Sequence, residues 1–471
     1  MLRVAIIGGG ISGLSAAYTL EKERAQGSDV DYVLFESSGK LGGVLSTEHV
    51  DGCVIEAGPD SFITEKPWAA QLCRELGLGD QLIGSNDEKR KTYVVVNNRL
   101  IAMPDGLMFM VPTKILPTGL SPLFSWSTKL RMVKELFHPP QPVHEDETVA
   151  QMVERHFGRE MVDRLADPLL SGVYGGDAAQ LSVRAVLPRF VEMEEKHGSL
   201  SRAMLAARKK VMASGNNKPA PPLFTSLRGG MQHLVNTIVG RLRPESLRPG
   251  ARVDRVEPTD SGWRISANGQ VEEFEAVIFA TPARSAATLL QPVNEQIATD
   301  LRATPYSSSV TVTLGYAAND LRDLAPGFGF LVPRTENRRM LACTFVHNKF
   351  PNRAPANKGL IRCFLGGASD EAVLGLSDDE ILATVRRELK EIIKLDAEPL
   401  FTRVYRWRGA MAQYAPGHLD RVARIEEIVR NTPGLALAGN YFKGIGVPDC
   451  VRTGQEAAKD VLQRVKSPQR A

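Results

Sequence analysis

The feature that most constrains this chain is a glycine-rich turn near its start, Gly8–Gly13, between the apolar run Val4–Ile7 and a helical stretch Leu14–Ala25. The turn fits GxGxxG between a strand and a helix, where glycines let backbone amides approach a pyrophosphate at the helix N-terminus. A glycine pattern alone is a weak signal, but a second strand, Tyr32–Phe35, ends at Glu36, whose carboxylate can bind ribose hydroxyls. The chain is therefore predicted to open with a dinucleotide-binding βαβ unit.

Length and composition exclude several classes of protein. The 471 residues exceed the roughly 250–300 at which a single core stops growing, so several domains are expected. The formal charge is +4 and Lys and Arg are scattered, so nucleic acid is not an expected partner. The five cysteines are far apart and form no CxxC pair, which indicates neither disulfides nor a metal site and favours a reducing, cytoplasmic location. No apolar run has the roughly 18 residues of a membrane-spanning helix.

The patterns along the chain predict an α/β protein whose cofactor domain is interrupted twice. After residue 90 the sequence changes to proline-rich loops and helices, one of them expected at 161–170, and a short polar loop is expected at 216–222. Strand patterns such as ARVDRVEP and FEAVIFATP then return, and a further helix is expected at Asp378–Ile393. The predicted segments are the first part of the cofactor domain at 1–90, a helical insert at 91–215, returning cofactor-domain strands at 216–300, a mixed-sheet substrate domain at 301–410, and the C-terminal part of the cofactor domain at 411–471.

FAD is indicated as the cofactor by three further segments. ESSGKLGGVLST after the second strand resembles the second phosphate-contacting segment of glutathione-reductase-like and amine-oxidase-like flavoproteins, although a plain glycine loop is the simpler alternative. FEAVIFATP and LALAGNYFKGIGVPDCVRTG resemble their cofactor-reaching strand and their C-terminal flavin-contacting motif. The resemblance implies a Rossmann-like FAD-binding domain of that type. The implied cofactor-binding residues are Gly8, Gly10, Ser12, Gly13, Glu36, Ser37, Lys40, Gly42, Gly43, Val44, Gly58, Pro59, Asp60, Ser61, Val253, Ala280, Trp407, Gly439, Ile445, Gly446 and Val447.

Five more stretches narrow the resemblance. They are EAGPDSFITEKP at 56–67, DPLLSGVYGGDAAQLSVRA at 167–185, FGFLVP at 328–333, FPNRAP at 350–355, and QY followed by GH at 413–418. Together they span almost the whole chain and resemble the protoporphyrinogen and coproporphyrinogen oxidases. SGVYGGD discriminates best, since monoamine oxidases and carotenoid desaturases do not resemble it there.

The resemblance implies a specific chemistry. Such an enzyme removes six electrons from a porphyrinogen in three flavin cycles during heme biosynthesis, and oxygen reoxidises the flavin with release of hydrogen peroxide. It also implies that Leu331 and Phe345 are walls of the macrocycle site and that the Gly172 carbonyl faces the pyrrole nitrogens. Core packing or a turn is the ordinary alternative for each. Spacing and motifs indicate no catalytic acid or base, and the sequence leaves open whether the chain forms a homodimer.

One position departs from the animal and plant members. They resemble this sequence around KTYVVV, but where Thr92 stands here they carry an arginine that binds a propionate group of the substrate. In this chain the alternative propionate anchors are Lys89, Arg90, Lys91 and Arg99. The departure favours the bacterial branch, which includes coproporphyrinogen oxidases. That substrate carries four propionates instead of two, and the sequence leaves the choice between the two porphyrinogens open.

Two further alternatives concern the surface and the reaction. The apolar, proline-broken stretch at 100–126 is bordered by Lys129 and Arg131, so it predicts either peripheral membrane contact or a cover for the substrate cavity or the insert's own core. Trp407 and Tyr414 would suit the aromatic cage of an amine oxidase, and a polyene desaturase is a related alternative. A flavin-binding protein without catalytic activity is the third hypothesis for the function.

Overall fold

The computed structural model describes residues 1–108, 110–140, 145–213 and 221–466, so residues 216–220 of the expected loop lie outside it. The chain forms two compact units and crosses between them several times. The first unit comprises Met1–Ser85, Leu223–Pro305 and Leu419–Ala471, and the second comprises Asn86–Pro222 and Tyr306–His418. Among the described helices, none combines the length and apolar character needed to cross a bilayer.

A five-stranded parallel sheet forms the centre of the first unit. Three of its strands, Leu2–Ile7, Ala276–Phe279 and Leu435–Leu437, are short and mostly apolar, as expected for strands buried on both faces. The helices Ile11–Ala25 and Val447–Lys466 place their apolar faces in the same core. The strand order is Leu247–Pro249, Val30–Glu36, Leu2–Ile7, Ala276–Phe279 and Leu435–Leu437.

Smaller elements complete the first unit. Three antiparallel strands, Val253–Thr259, Gly262–Ala267 and Gln270–Phe274, form a separate sheet. The remaining strands are Thr47–Val50, Cys53–Glu56, Phe62–Ile63, Leu82–Gly84 and Phe224–Leu227, and the remaining helices are Trp68–Glu75, Gln232–Val239, Ala283–Leu290, Glu295–Arg302 and His418–Asn431, the last beginning at the boundary of the second unit.

A seven-stranded mixed sheet is the main element of the second unit. Helix Asp378–Ile393 packs on it and has the bounds expected from the sequence, because Ser377 and Glu380 form a capping box at its start. The strand order is Phe401–Ala412, Tyr306–Ala317, Lys358–Gly366, Met340–Phe345, Gly329–Leu331, Thr92–Val96 and Arg99–Ala102. The last two strands come from the segment expected to be a helical insert, so the segments 91–215 and 301–410 share one sheet.

The remainder of the second unit is mostly helical. The helix expected at 161–170 is instead a π-helical turn, Val162–Ala166, that leads into Asp167–Tyr174. Such turns are rare and often lie at functional sites. The other elements are the helices Ile115–Leu120, Trp126–Glu135, Val149–Phe157, Arg159–Met161, Val183–Val186, Pro188–His197, Leu200–Ala213 and Val346–Lys349, and the strands Leu107–Met108 and Val111–Pro112.

Candidate functional site

The carboxyl ends of the parallel strands of the first unit lie side by side. Ile7 pairs with Phe35 on one side and with Phe279 on the other, and Phe279 pairs in turn with Leu437. The carboxyl edge of an open parallel sheet is where such folds bind ligands. Glu36 ends one of these strands, and Gly8, Ala280 and Gly439 follow the others at that edge. All four residues are predicted to bind the cofactor.

The glycine turn at this edge has no room for a side chain at Gly8 or at Gly13. Gly8 has φ +111°, and a Cβ there would lie 2.6 Å from the carbonyl oxygen of Ala280. A Cβ at Gly13 would lie 1.9 Å from the Gly8 carbonyl oxygen. Helix Ile11–Ala25 starts after Gly10, with no side-chain cap and no acidic residue in its first turn. Its N-terminal end is therefore suited to an external anion.

Glu36 is held against the turn by two backbone amides. Its carboxylate accepts hydrogen bonds of 2.7 Å from the Gly9 N–H and 2.7 Å from the Ser38 N–H, one on each oxygen. A carboxylate has about four lone-pair sites, so it can accept further hydrogen bonds from hydroxyl groups. The predicted ribose-binding role is compatible with this geometry.

The second glycine segment lies directly beside the first. The Gly42 N–H donates to the Gly9 carbonyl over 2.8 Å, and a Cβ at Gly58 would come within 1.9 Å of the Val44 carbonyl oxygen. The Gly250 N–H donates to the Ser38 carbonyl over 2.8 Å, shortly before the strand that begins at Val253. The predicted residues Ser37, Lys40, Gly42, Gly43, Val44, Gly58, Pro59, Asp60, Ser61 and Val253 all belong to these segments of the first unit.

The C-terminal helix of the first unit packs closely against the first helix. A Cβ at Gly454 would lie 2.1 Å from the carbonyl oxygen of Ser12. Helix Val447–Lys466 follows the predicted flavin-contacting residues Ile445 and Gly446, and its predicted residue Val447 is its first. The cofactor segments predicted at the two ends of the chain thus belong to neighbouring helices.

An ion pair missed by sequence reasoning holds the loop before this helix. Lys66 Nζ lies 2.9 and 2.7 Å from the two carboxylate oxygens of the buried Asp449. Gly444 lies against this carboxylate, since a Cβ there would come within 2.2 Å of the Asp449 Cγ. The two partners are 383 positions apart, and no local motif marks either as half of a pair.

In the second unit, Gly172 and Leu331 are brought together. A Cβ at Gly172 on helix Asp167–Tyr174 would lie 3.6 Å from Leu331 Cδ2. Phe345 is fully buried in the core, 6.2 Å from the Phe330 ring between centroids. Because successive strand residues face opposite sides, Leu331 points away from the side on which Phe330 and Phe345 pack. The two predicted walls therefore face opposite sides of the sheet.

Arg334 joins the strand of Leu331 to the helix of Gly172. Its Nε lies 2.9 Å from Asp167 Oδ2 and its Nη1 lies 3.0 Å from Asp177 Oδ2. Burial raises the pKa of the Asp167 carboxyl, and the Arg334 charge acts against this shift. These contacts anchor both flanks of the SGVYGGD segment.

Gln413, in another stretch that carries the resemblance, also reaches this segment. Its side-chain amide donates to the Tyr174 carbonyl over 2.8 Å and to Ser307 Oγ over 2.9 Å. Its neighbour Tyr414 is fully buried and stacks on His418 at 4.0 Å between ring centroids. The ring that an amine-oxidase cage would need is therefore packed within the second unit.

Trp407 and the candidate propionate anchors also lie in the second unit. Trp407 is the one predicted cofactor residue outside the first unit, on the edge strand Phe401–Ala412. Thr92 pairs with Gly329, so the strand of Thr92 lies beside the strand that contains Leu331. The candidate cations Lys89, Arg90, Lys91 and Arg99 are exposed, and Arg90 contacts Asp87 at 3.5 Å.

Among the described residues, one group has metal-ligating atoms close together: His138, His156 and Glu194 in the second unit. His156 Nδ1 and Nε2 each lie 3.0 Å from a carboxylate oxygen, of Glu135 and Glu194 respectively. The Arg155 guanidinium also contacts Glu194. Because the Arg155 cation already neutralises the Glu194 carboxylate, this group is better explained as a buried hydrogen-bond network than as a metal site. The two carboxylates raise the pKa of His156 against the effect of its burial.

The residues at the edge of the first unit fit a dinucleotide. The open helix start supplies amides for a pyrophosphate, and Glu36 supplies acceptors for ribose hydroxyls. A Cβ at Gly10 would meet no heavy atom within 4 Å, so space adjoins the turn where a ligand could approach.

Comparison with known proteins agrees with this geometry. Residues 11–462 match the family described as flavin containing amine oxidoreductase. The coproporphyrinogen III oxidase of Bacillus subtilis is 34% identical over 98% of this chain and 97% of its own length. The Staphylococcus aureus coproporphyrinogen III oxidase is 31% identical over 98% of each chain. The crystal structure of a candidate protoporphyrinogen oxidase from Exiguobacterium has a TM-score of 0.87 at 28% identity, over 98% of this chain and 99% of its own.

The chain therefore belongs to the flavin containing amine oxidoreductases, which confirms the predicted α/β flavoprotein fold and makes it a flavin-dependent oxidase. Within them, its full-length relatives place it in the branch of the protoporphyrinogen and coproporphyrinogen oxidases.

Proposed function

We propose that this protein catalyses the six-electron oxidation of a porphyrinogen to its porphyrin in heme biosynthesis, with FAD as cofactor and oxygen as acceptor. Coproporphyrinogen III is the favoured substrate, because it is the one named for the relatives above 30% identity. One observation carries the proposal: four predicted cofactor segments lie at one edge of the parallel sheet although they are far apart in the sequence, and that sequence resembles the porphyrinogen oxidases.

FAD, when bound, supplies the two-electron acceptor that is reoxidised by oxygen to give hydrogen peroxide. The amides that begin helix Ile11–Ala25 bind its pyrophosphate, and Glu36 accepts hydrogen bonds from its ribose. The loop before helix Val447–Lys466 directs Gly446 and Val447 to the flavin ring, and the Lys66–Asp449 ion pair fixes that loop.

The residues of the second unit bind the macrocycle in this proposal. Leu331 provides an apolar wall beside the Gly172 carbonyl, and Phe345 supports the sheet from its buried side. Arg334 fixes the segment that contains Gly172 through Asp167 and Asp177. No protein acid or base is assigned, since positioning of the reacting carbon at the flavin supplies the rate enhancement.

We also propose a cytoplasmic location with loose membrane contact. All five cysteines are free and buried, which suits a reducing compartment. Exposed apolar side chains in the second unit support the membrane contact.

The test is an aerobic assay of the purified yellow protein with coproporphyrinogen III and, separately, protoporphyrinogen IX. The expected result is faster porphyrin fluorescence than without protein, faster for coproporphyrinogen III. Because six electrons leave in pairs, about three oxygen molecules should be consumed and three peroxides released per porphyrin. A Gly10→Val variant is the control for flavin-independent oxidation. Rates equal to the protein-free rate with both substrates would contradict the proposal.

A further inference from the structure

Helix Asp167–Tyr174 ends with carbonyl groups whose surroundings differ along the chain. The last carbonyls of a helix have no intrahelical donor and need other partners. Among the residues that the structure describes, no N–H or O–H group donates to the carbonyl of Gly172 or to that of Val173. Both residues are exposed, Val173 to 59%. Their carbonyls are therefore available to a ligand.

The carbonyls of the two glycines that follow the helix are different, because these residues are buried and their carbonyls already have donors. The Gly175 carbonyl accepts a hydrogen bond of 2.9 Å from the Ala368 N–H, and the Gly176 carbonyl accepts one of 3.0 Å from Ser171 Oγ. Gly175 has φ +55°, in the left-handed conformation that commonly ends a helix. The direction of the exposed carbonyls therefore depends on how firmly this end of the segment is held.

Gln413 supplies the donor for the last residue of the helix, Tyr174. Its buried side-chain amide donates to the Tyr174 carbonyl over 2.8 Å and to Ser307 Oγ over 2.9 Å. Ser307 belongs to strand Tyr306–Ala317, so one amide group connects the end of the helix to the large sheet. A Cβ at Gly176 would lie 2.4 Å from Gln413 Oε1, so the same amide also packs directly against the segment.

We propose that Gln413 is a positioning residue for porphyrinogen oxidation. It holds the Tyr174 carbonyl and thereby fixes the direction of the Gly172 carbonyl, which accepts hydrogen bonds from the pyrrole N–H groups of the macrocycle. A macrocycle that tilts moves its reacting carbon relative to the flavin, and a displacement of about 1 Å can lower the rate roughly 100-fold. Gln413 acts through the helix and not by contact with the macrocycle. Because this role requires porphyrinogen turnover, it rests on the proposed function.

The first experiment measures kcat and KM for coproporphyrinogen III in the parent holoenzyme, Gln413→Leu and Gln413→Glu. Gln413→Leu lacks the donor, so kcat/KM should fall about tenfold while the flavin content per protein stays that of the parent. The ionised carboxylate of Gln413→Glu cannot donate to the Tyr174 carbonyl, whereas the protonated acid can. Its kcat/KM should therefore lie near that of Gln413→Leu at pH 9 and recover toward that of the parent as the pH falls to 6.

Ser308→Ala is the matched control. Ser308 is as buried as Gln413, and its Oγ accepts a hydrogen bond of 2.9 Å from the Gly409 N–H, within the sheet and not from the Gly172 segment. This variant should keep kcat/KM within about twofold of the parent. An active parent with equal kinetics in Gln413→Leu would overturn the role of Gln413 and leave the proposed function intact, as would equal losses in Gln413→Leu and Ser308→Ala. No turnover in the parent would contradict the proposed function itself and the role of Gln413 with it.

A binding experiment tests the link to the Gly172 carbonyl without turnover. Coproporphyrin III and a derivative methylated on one pyrrole nitrogen are titrated against the oxidised flavoprotein, and Kd is obtained from porphyrin fluorescence. The parent should bind the unmethylated porphyrin at least about fivefold more tightly, because the methyl group blocks the approach of the carbonyl to that nitrogen. In Gln413→Leu this ratio should fall to about twofold or less. The same ratio in both proteins, or no preference in the parent, would overturn the proposal.

Discussion

The cofactor edge of the first unit and the Gly172 segment of the second unit are held by different kinds of contact. At the cofactor edge, backbone groups bond to one another or to Glu36, and close approaches leave no space at Gly8 and Gly13. Around Gly172, side chains hold the segment instead, with Arg334 forming ion pairs with Asp167 and Asp177.

The difference determines what each region tolerates. A turn held mainly by backbone groups is insensitive to most neighbouring side chains, but one added Cβ displaces several segments at once. A segment held by partly buried charges accepts small changes in shape and depends on each charged partner. The predictions below test this contrast.

The largest effect on activity is expected for Gly13→Ala. Its Cβ would lie 1.9 Å from the Gly8 carbonyl oxygen, so the variant should lose bound flavin and activity. Its free energy of unfolding should also fall by about 1–3 kcal/mol. Gly10→Val is the matched change, because open space at Gly10 should preserve stability while the side chain blocks the cofactor. Flavin absorbance per protein and thermal melting test both variants. Full flavin content in Gly13→Ala would contradict the backbone-held edge.

Next comes Phe345→Ala, which should lower the free energy of unfolding by about 3–5 kcal/mol because it opens a cavity in the core of the second unit. Leu331→Ala should cost less than about 1.5 kcal/mol, since Leu331 is only half-buried, but should raise KM for the porphyrinogen. Urea unfolding and steady-state kinetics separate the two. If Phe345→Ala were as stable as the parent and only KM rose, Phe345 would be a substrate wall and not a core residue.

The buried network around His156 should make the second unit sensitive to pH. The pKa of His156 is raised above its ordinary value of 6.5, so its stabilising contribution is complete below pH 6.5 and disappears as pH rises through the raised value. His156→Gln should cost about 3 kcal/mol near pH 6 and less at alkaline pH. Urea unfolding from pH 6 to pH 9 tests this convergence, with His233→Gln, a partly buried histidine of the first unit, as control. Parallel pH curves for parent and variant would exclude a charged His156.

A smaller effect is expected for Arg334→Met, because Arg334 is about one-third exposed. The loss should be about 1–2 kcal/mol of stability, with a several-fold rise in KM as the Gly172 segment loosens. Arg334→Lys keeps the charge but not the forked geometry of the guanidinium, so its stability and its KM should lie between those of the parent and Arg334→Met. Kinetics that match the parent in both variants would show that the segment does not depend on these ion pairs.

The smallest effect on stability is expected for Thr92→Arg, within about 0.5 kcal/mol for this partly exposed side chain. The added guanidinium should shift preference toward protoporphyrinogen IX several-fold relative to coproporphyrinogen III. Thr92→Met, of similar length without charge, should leave the preference unchanged. Competition between the two substrates measures the ratio, and an identical ratio in all three proteins would remove Thr92 from the propionate site.

The cofactor edge could be predicted from sequence because its requirements are local. Gly8 and Gly13 have fixed spacing within one turn, and Glu36 ends the next strand. The long helix Asp378–Ile393 was also predictable, since its amphipathic pattern and capping box lie within the segment.

Contacts between distant segments could not be predicted from local sequence patterns. Arg334 and Asp167 look like ordinary surface charges until the fold brings them together, and the same holds for Lys66 and Asp449. The strand Thr92–Val96 was assigned to a helical insert although its hairpin with Arg99–Ala102 is local. Its pairing with Gly329–Leu331, which joins this hairpin to the large sheet, spans more than two hundred residues. The role of Phe345 stays a prediction, and alternation along its strand decides which side of the sheet its ring faces.

The most direct test of the central claim is anaerobic mixing of the purified flavoprotein with coproporphyrinogen III while the flavin absorbance is recorded. We expect the oxidised flavin band to bleach, porphyrin to form only to the extent that bound flavin can accept electrons, and the band to return when oxygen is admitted. Retention of the oxidised band with both coproporphyrinogen III and protoporphyrinogen IX would contradict the proposed function.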